Sequence, residues 1–408
     1  SRKWEPSRAV FIDEGARLVS SAGANELRLN TAVTATVDAR GVYSNSGRMQ
    51  GPELKFTFVQ VAGQWRISSG PAGVVLDRVT FPKVYSQSTL FFYNADLTRL
   101  IPDVRWFPSR SSISTRIVKA LLGGPSDWLS TSGAAVSAIP VGAALEADSV
   151  PIDGGVASVN FDSQTVKATE GLSIRILRQL TASMAGVPDV QSVSLQYSGS
   201  PQGQAPVPLR SALITPTGYD TAAVIRDGAF GVLDENGVTA LAGLSAAVLS
   251  LAPSAVSLSG DRSVAVVNGR SGVYTVRASS KPALVDARAR LIPAAIDAQS
   301  FVWTVPADKP DAVHIAGRTG ASRTLRAPWP SATKIAFLSV APDGTRLVAG
   351  LSTPDGQRIC VASIGHGDDL WPKNIGECLY LTAPQGNMVS AAWIDATRVG
   401  ILLSLIHI

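Results

Sequence analysis

Two cysteines, three histidines, three methionines and nine lysines are all that this chain of 408 residues holds of those four types. Each shortage excludes chemistry. Cys360 and Cys378 cannot make a zinc site by themselves, and no neighbouring polar set has ligand spacing. They are either two buried thiols or one disulfide between neighbouring strands. Of the histidines, His314 reads as a strand residue. His366, between Gly365 and Gly367, reads as a loop residue beside Asp368 and Asp369. Neither has a G-x-S-x-G elbow to serve as a general base. No phosphate loop, H-E-x-x-H or C-x-x-C is present, and no two carboxylates stand out as a glycosidase pair. Asp153, Asp234, Asp261, Asp343 and Asp355 lie next to Gly or in turns, where carboxylates cap backbone donors. The sequence offers no catalytic, cofactor-binding or metal-ligating residue.

Charge and hydropathy exclude more. With 36 basic and 31 acidic residues the net charge is +5. There is no basic run and no basic helix face with interleaved aromatics, so a nucleic-acid partner is not expected. Asn236–Gly260 carries no charge, but Gly243, Pro253 and several Ser break it. A membrane span needs about 20 predominantly apolar residues, and this stretch reads as two strands with a turn. Near Ser1 there is no initiator Met, no basic–apolar leader and no lipid-attachment Cys, so the start reads as internal. At the other end, Leu403–Ile408 matches the in-frame translation of a terminal repeat used in sequencing adapters. Residues 403–408 are therefore set apart, the natural sequence is expected to stop near Leu402, and His407 is given no functional weight.

What is present is globular: 45% hydrophobic and 16% charged residues, with 36 Gly and 25 Pro to serve many short strands. The length calls for two or three cores. Within residues 1–82, Val33–Val37 alternates as a strand. Leu54–Val61 and Trp65–Ile67 flank Ala62–Gly63–Gln64 as a hairpin. Residues 83–199 hold strands at Leu90–Tyr93 and Val104–Phe107 and a helix over Ser112–Leu122 that Gly123–Gly124–Pro125 stops. Next come Ala138–Gly142, a strand at Val156–Phe161, a second helix over Leu172–Ala185, and a strand at Val193–Tyr197. The first helix stacks Ile113, Ile117, Val118 and Leu121 on one face. The second stacks Ile174, Leu177, Leu180 and Met184, with Arg175, Arg178 and Gln179 on the other side. Both helices thus have a face to lay on a sheet, which makes an α+β sandwich. Residues 200–208 have linker composition. From 209 to 402 the pattern is short strands and turns that recur near 257, 301, 339 and 391, the spacing of four-stranded propeller blades. Four blades and part of a fifth are expected, with Asp343–Gly344 closing a hairpin and Leu347 facing the next blade.

These residues carry resemblances. Strands ending in Gly63–Ile67 are similar to the conical sheet of NTF2-like domains, here partial. The order in 83–199, with its Gly–Gly–Pro stop and Ala138–Gly142 turn, resembles the GerMN domain of sporulation and germination proteins. Pro342–Leu347 looks like the hairpins of TolB-type and WD-type propellers. The succession of partial NTF2-like, GerMN and incomplete propeller regions is similar to the actinobacterial LpqB lipoprotein family. That resemblance implies a non-catalytic protein without cofactors, lipid-anchored on the outer face of the cytoplasmic membrane. It also implies an accessory role in the MtrA–MtrB two-component system, through contact with the extracytoplasmic domain of an MtrB-type sensor kinase and with effects on cell-wall homeostasis and division. An extracytoplasmic location favours the Cys360–Cys378 disulfide. The rival readings are a propeller that binds cell-wall carbohydrate or peptidoglycan, marked by aromatics gathered on one rim, and an envelope enzyme, marked by buried acids in the first sheet.

Overall fold

The computed structural model describes residues 4–45, 54–109, 112–164, 169–201, 207–208, 223–235, 237–381 and 386–404. The chain forms two compact units. One comprises Ser1–Phe92, Pro102–Ser126 and Ser137–Leu213; the other comprises Tyr93–Ile101, Asp127–Val136 and Ile214–Ile408.

The first unit opens with strands β1 (Ala9–Gly23), β2 (Glu26–Asp38), β3 (Tyr43–Asn45), β4 (Leu54–Val61), β5 (Gln64–Ser69) and β6 (Val74–Asp77). They form one sheet in the order β5-β4-β2-β1-β6, with β3 also on β2 and only the β1–β6 pair parallel. Alternation in β2 turns Val33, Ala35 and Val37 to one face, where all three are buried. Val10, Ile12, Ala35, Val37 and Phe81 form the core of this region, with Tyr43, Tyr85 and Trp106 packed against it. The expected hairpin is present, with Ala62 and Gly63 alone in its turn and Gln64 already in β5.

A short helix α1 (Phe81–Val84) leads to the paired strands β7 (Tyr85–Tyr93) and β8 (Leu100–Pro108). Helices α2 (Ile113–Leu122), α3 (Asp127–Ser130) and α4 (Glu170–Met184) follow, with β9 (Ile152–Asp153) and β10 (Val156–Phe161) before α4 and β11 (Ser192–Tyr197) after it. β10 and β11 are parallel and in register from Val156↔Ser192 to Phe161↔Tyr197. Helix α4 crosses between them, as a parallel pair requires. Ile117, Val118 and Leu121 of α2 and Leu177, Leu180 and Met184 of α4 are buried as expected. Each such side chain contributes about 1.5–3 kcal/mol. Gln179 corrects the reading of α4: it is fully buried on the core side. Its Oε1 accepts from the Ala138 N–H at 2.8 Å. The segment read as a linker is partly structured, because β12 (Ser200–Pro201) and β13 (Val207–Pro208) both pair with β11.

The second unit is a series of antiparallel meanders. Ala223–Arg226, Ala229–Asp234 and Gly237–Ala240 (β14–β16) form a three-stranded sheet, followed by helix α5 (Ser245–Ser250). Ala255–Leu258, Val264–Gly269, Gly272–Arg277 and Ala283–Asp286 (β17–β20) form a four-stranded sheet. Ala295–Ile296, Val302–Thr304, Ala312–Ala316 and Ser322–Arg326 (β21–β24) form another. Next come Lys334–Val340, Arg346–Thr353, Gly356–His366 and Pro372–Ile375 (β25–β28), with Leu379–Leu381 (β29) also on β27. Asn387–Trp393 and Val399–Ser404 (β30, β31) pair last. Successive up-and-down sheets with cores running between them make this region propeller-like. One core joins Trp303, Val313 and Ile315 of the third sheet to Leu347, Ala349 and Cys360 of the fourth, so Leu347 faces the preceding sheet, not the next, and it is Val348 that packs toward β30 and β31.

Three more sequence expectations change here. The uncharged stretch 236–260 is not two strands and a turn; α5 stands between β16 and β17, with Val248 buried against Phe230. His366 is not a loop residue but ends β27, opposite Pro372. The repeat near 301 is shifted by one strand: Phe301–Trp303 belongs to the second strand region of its sheet, and the true counterpart of the Asp261 and Asp343 turns is Asp297. Leu403 and Ser404 lie in β31, whereas 405–408, with His407, fall outside the described residues.

Candidate functional site

The buried acids of the first sheet were the feature that could have supported an enzyme. One exists. Asp13 is fully buried on β1, beside a register shift in its pairing with β2. Its carboxylate accepts from Arg17 Nε at 2.8 Å, from Thr31 Oγ1 at 2.6 Å and from the Gly15 N–H at 3.0 Å. Burial works to raise this carboxyl, but the Arg17 and Thr31 hydrogen bonds outweigh it and hold it below the ordinary carboxylate range. An acid held ionised and fully ligated is poorly suited to proton transfer near neutral pH. Sequence reading missed the cluster because irregular pairing, rather than simple alternation, brings 13, 17 and 31 together.

A second cluster sits on β8. Arg105 and Asp103 are both buried, and Arg105 also donates to the carbonyls of Arg40 at 3.0 Å and Gly124 at 3.2 Å. Asp103 accepts from the N–H and the hydroxyl of Ser126. Together these contacts tie Arg40, Gly124 and Ser126 to β8. The sequence signal was two charges, at i and i+2, on an otherwise apolar strand.

In the second unit the aspartates close turns. Asp261, Asp297, Asp343 and Asp395 each follow the first strand of a sheet and accept from the backbone N–H two residues on. The Ser259 hydroxyl and the Ser263 groups bring the Asp261 carboxyl down to about 2. The N–H of Thr397 leads the groups that bring Asp395 to about 2. Asp297 goes the other way: burial pushes it up to about 6, even though Trp303 Nε1 donates to it at 2.9 Å. The motif Asp-x-Thr-Arg occurs at 96–99, 343–346 and 395–398, and in the last two the arginine returns to the aspartate. Arg346 then reaches across to the Ala396 carbonyl at 2.7 Å and lies 5.0 Å from the Trp393 ring centre, tying neighbouring sheets together. Asn268 does the same earlier, bonding the carbonyl of Ile292 and the N–H of Ala294.

Cys360 and Cys378 form a disulfide with Cα atoms 5.1 Å apart. β27 pairs with β29 through Ile359–Val361 and with β28 through Ile364–His366. The outer strand is thus interrupted at Gly376–Cys378, and the disulfide fastens that interruption to β27. His314, paired with Thr304, has its pKa lowered by burial despite the nearby Asp286. His366 is lowered by burial too. Asp369, beside it in sequence, is taken by Arg323 and the Trp371 N–H. Among the described residues no group of three or more His, Cys, Asp or Glu is arranged to hold a metal.

The propeller tryptophans are buried or half-buried. Trp303 and Trp329 are core residues. Trp371 lies between Phe301, at 4.7 Å between ring centres, and the Arg323 guanidinium at 4.8 Å. Trp393 is faced by Arg346.

Comparison with known proteins places these parts in order. The family model of the lipoprotein LpqB N-terminal domain matches residues 1–82. The sporulation and spore germination domain matches 89–203, and the lipoprotein LpqB beta-propeller domain matches 228–404. Lipoprotein LpqB of Thermobifida fusca is 27% identical over 209 residues, which are 48% of this chain and 33% of that protein. Lipoprotein LpqB of Nocardia farcinica is 26% identical over 289 residues, 66% of this chain and 47% of that protein. The chain spans less than half the length of these curated relatives. Among solved structures, the first GerMN domain of the sporulation protein GerM from Bacillus subtilis is 17% identical, covering 32% of this chain and 96% of that one at a TM-score of 0.25. Kluyveromyces lactis Hsv2 is 14% identical, covering 50% and 68% at a TM-score of 0.30. With two LpqB-specific models flanking a germination-type domain along one chain, the protein belongs to the LpqB lipoprotein family.

Proposed function

We propose that this protein is a non-catalytic, extracytoplasmic binding protein, held at the outer face of the cytoplasmic membrane by a lipid anchor in its full-length form. It acts as an accessory of an MtrA–MtrB two-component system by binding the extracytoplasmic domain of the sensor kinase, and so adjusts cell-wall homeostasis and division. The observation that carries this reading is the commitment of four buried carboxylates. Asp13, Asp103, Asp297 and Asp343 all bond arginines, backbone or indole N–H groups, so the molecule offers surfaces rather than reactive groups. The Cys360–Cys378 disulfide supports an oxidising compartment, and the relatives are named lipoproteins. The first region is an NTF2-like sheet used as a scaffold. An accessory of this kind biases a two-state sensor by binding one state better than the other.

Titration calorimetry of the full chain against the extracytoplasmic domain of an MtrB-type kinase tests the reading. Saturable binding, micromolar or tighter, is expected. No binding, together with retention on purified cell-wall glycan, would replace it with the carbohydrate reading, against which the covered faces of Trp371 and Trp393 already speak.

A further inference from the structure

β5 is the outer strand of the first sheet, and β4 is its only partner among the described residues. All six of its residues are exposed, including Trp65 at 57% and Ile67 at 62%. The turn before it has positive φ at both Ala62 (50°) and Gly63 (76°), the signature of a two-residue type I′ hairpin. Such a hairpin closes on a hydrogen-bonded pair, here Val61 and Gln64. By alternation, the N–H and C=O groups of Gln64 and Arg66 face β4, while those of Trp65 and Ile67 face outward. Native edges are commonly blunted by Lys, Pro or a bulge. Gln64–Ile67 contains neither residue type, and the register shift in the pairing comes only after Ile67.

We propose that this edge pairs with the same edge of a second copy, antiparallel across a two-fold axis at Trp65. Three same-face registers centre within Trp65–Ile67, clear of the turn on one side and of Ser68 and Ser69 on the other. Centring on Arg66 sets two guanidinium groups opposite each other, which is destabilising. Centring on Ile67 runs the pairing through the register shift. Centring on Trp65 joins the outward N–H and C=O of the two Trp65 residues, stacks their indoles on one face, and sets each Gln64 opposite Arg66 of the other copy. Those two residues already bond within one strand, Arg66 Nη2 to Gln64 Oε1, at 2.8 Å. The occupant is a strand because only a strand satisfies the outward donors and acceptors, and it is a second copy because the edge is self-complementary in this register.

Sedimentation equilibrium of the full chain at rising concentration should show a reversible dimer. Gln64→Glu, which adds two symmetry-related ion pairs with Arg66, should tighten it several-fold, and Gln64→Lys should weaken it by a similar factor. Position 64 is exposed, so thermal melts should stay unchanged in both variants. On mild oxidation Trp65→Cys should form a covalent dimer and Ile67→Cys should not. A chain that stays monomeric throughout, a dimer indifferent to the charge at position 64, or cross-linking at 67 in preference to 65 would overturn the proposal.

Discussion

Arg105 and Asp103 form a bidentate ion pair from which solvent is excluded, with Nη2 to Oδ2 at 2.7 Å and Nε to Oδ1 at 3.1 Å. The guanidinium has donors left over, and it spends them on the carbonyls of Arg40 and Gly124. One side chain thereby joins the turn after β2, the strand β8 and the end of α2. Gly41 lies in the same contact: its φ is +82°, and a Cβ there would fall 2.8 Å from the Phe107 ring.

Removing Arg105 should be severe. Arg105→Met leaves the Asp103 carboxylate buried without its partner, a loss of about 3–5 kcal/mol. Arg105→Lys should recover only part, because an ammonium cannot reach two carbonyls and a carboxylate in one plane. Denaturant unfolding of the two variants beside the parent measures both losses.

Gln179→Ala and Gln179→Met should destabilise by similar amounts, about 1–3 kcal/mol, since either leaves the buried Ala138 N–H without its acceptor. If Met, which keeps most of the volume, were harmless, packing rather than hydrogen bonding would be the role of this residue. Thermal melts distinguish the two.

The disulfide closes a short loop of sequence separation 18. Reduction, or Cys378→Ser, should cost about 3 kcal/mol through the greater freedom of the unfolded chain. The effect should appear as a lower melting temperature in reductant, and Cys378→Ser should abolish the sensitivity to reductant.

Acidification should show two opposing trends. Asp297 is raised to about 6 in the folded protein from an ordinary value of 3.8. Folding therefore favours its protonated form, and this contribution is full below pH 3.8 and is lost as pH rises through 6. Asp261 and Asp395, lowered to about 2, contribute above 3.8 and lose that contribution as pH falls toward 2. Stability followed by denaturant midpoint should thus gain from Asp297 between pH 7 and about 4, before the other carboxylates reverse it. Asp297→Asn, whose one amide oxygen can accept from Trp303 or from the Gln299 and Phe301 N–H groups but not from both, should lower stability at every pH, remove the gain and leave the acid limb in place.

How far residues alone carried the reading depended on whether an interaction was local. Helices α2 and α4, the β4–β5 hairpin and the Asp343–Gly344 turn were legible because apolar spacing and turn chemistry act within a few residues. The same holds for the order of regions, which depends on the succession of such local patterns. Gln179 was misjudged for the opposite reason: its helical position predicts a solvent face, and only the Ala138 N–H, 41 residues away, makes burial favourable. The strand shift at Phe301 arose from matching apolar residues when the recurring physical feature of the turn is the carboxylate, here Asp297.

The chemistry divides in the same way. The scarcity of histidine and cysteine, and the absence of catalytic motifs, follow from residue identity and needed no coordinates. Whether the buried carboxylates were free or committed could only be decided by the tertiary structure, because their partners come from other strands and turns. Asp13 meets Thr31 across two strands, Arg105 reaches Arg40, and Arg346 crosses to Ala396 of another sheet. Desolvation and hydrogen bonding at such sites depend on what the fold brings near, and that is not encoded by spacing along the chain.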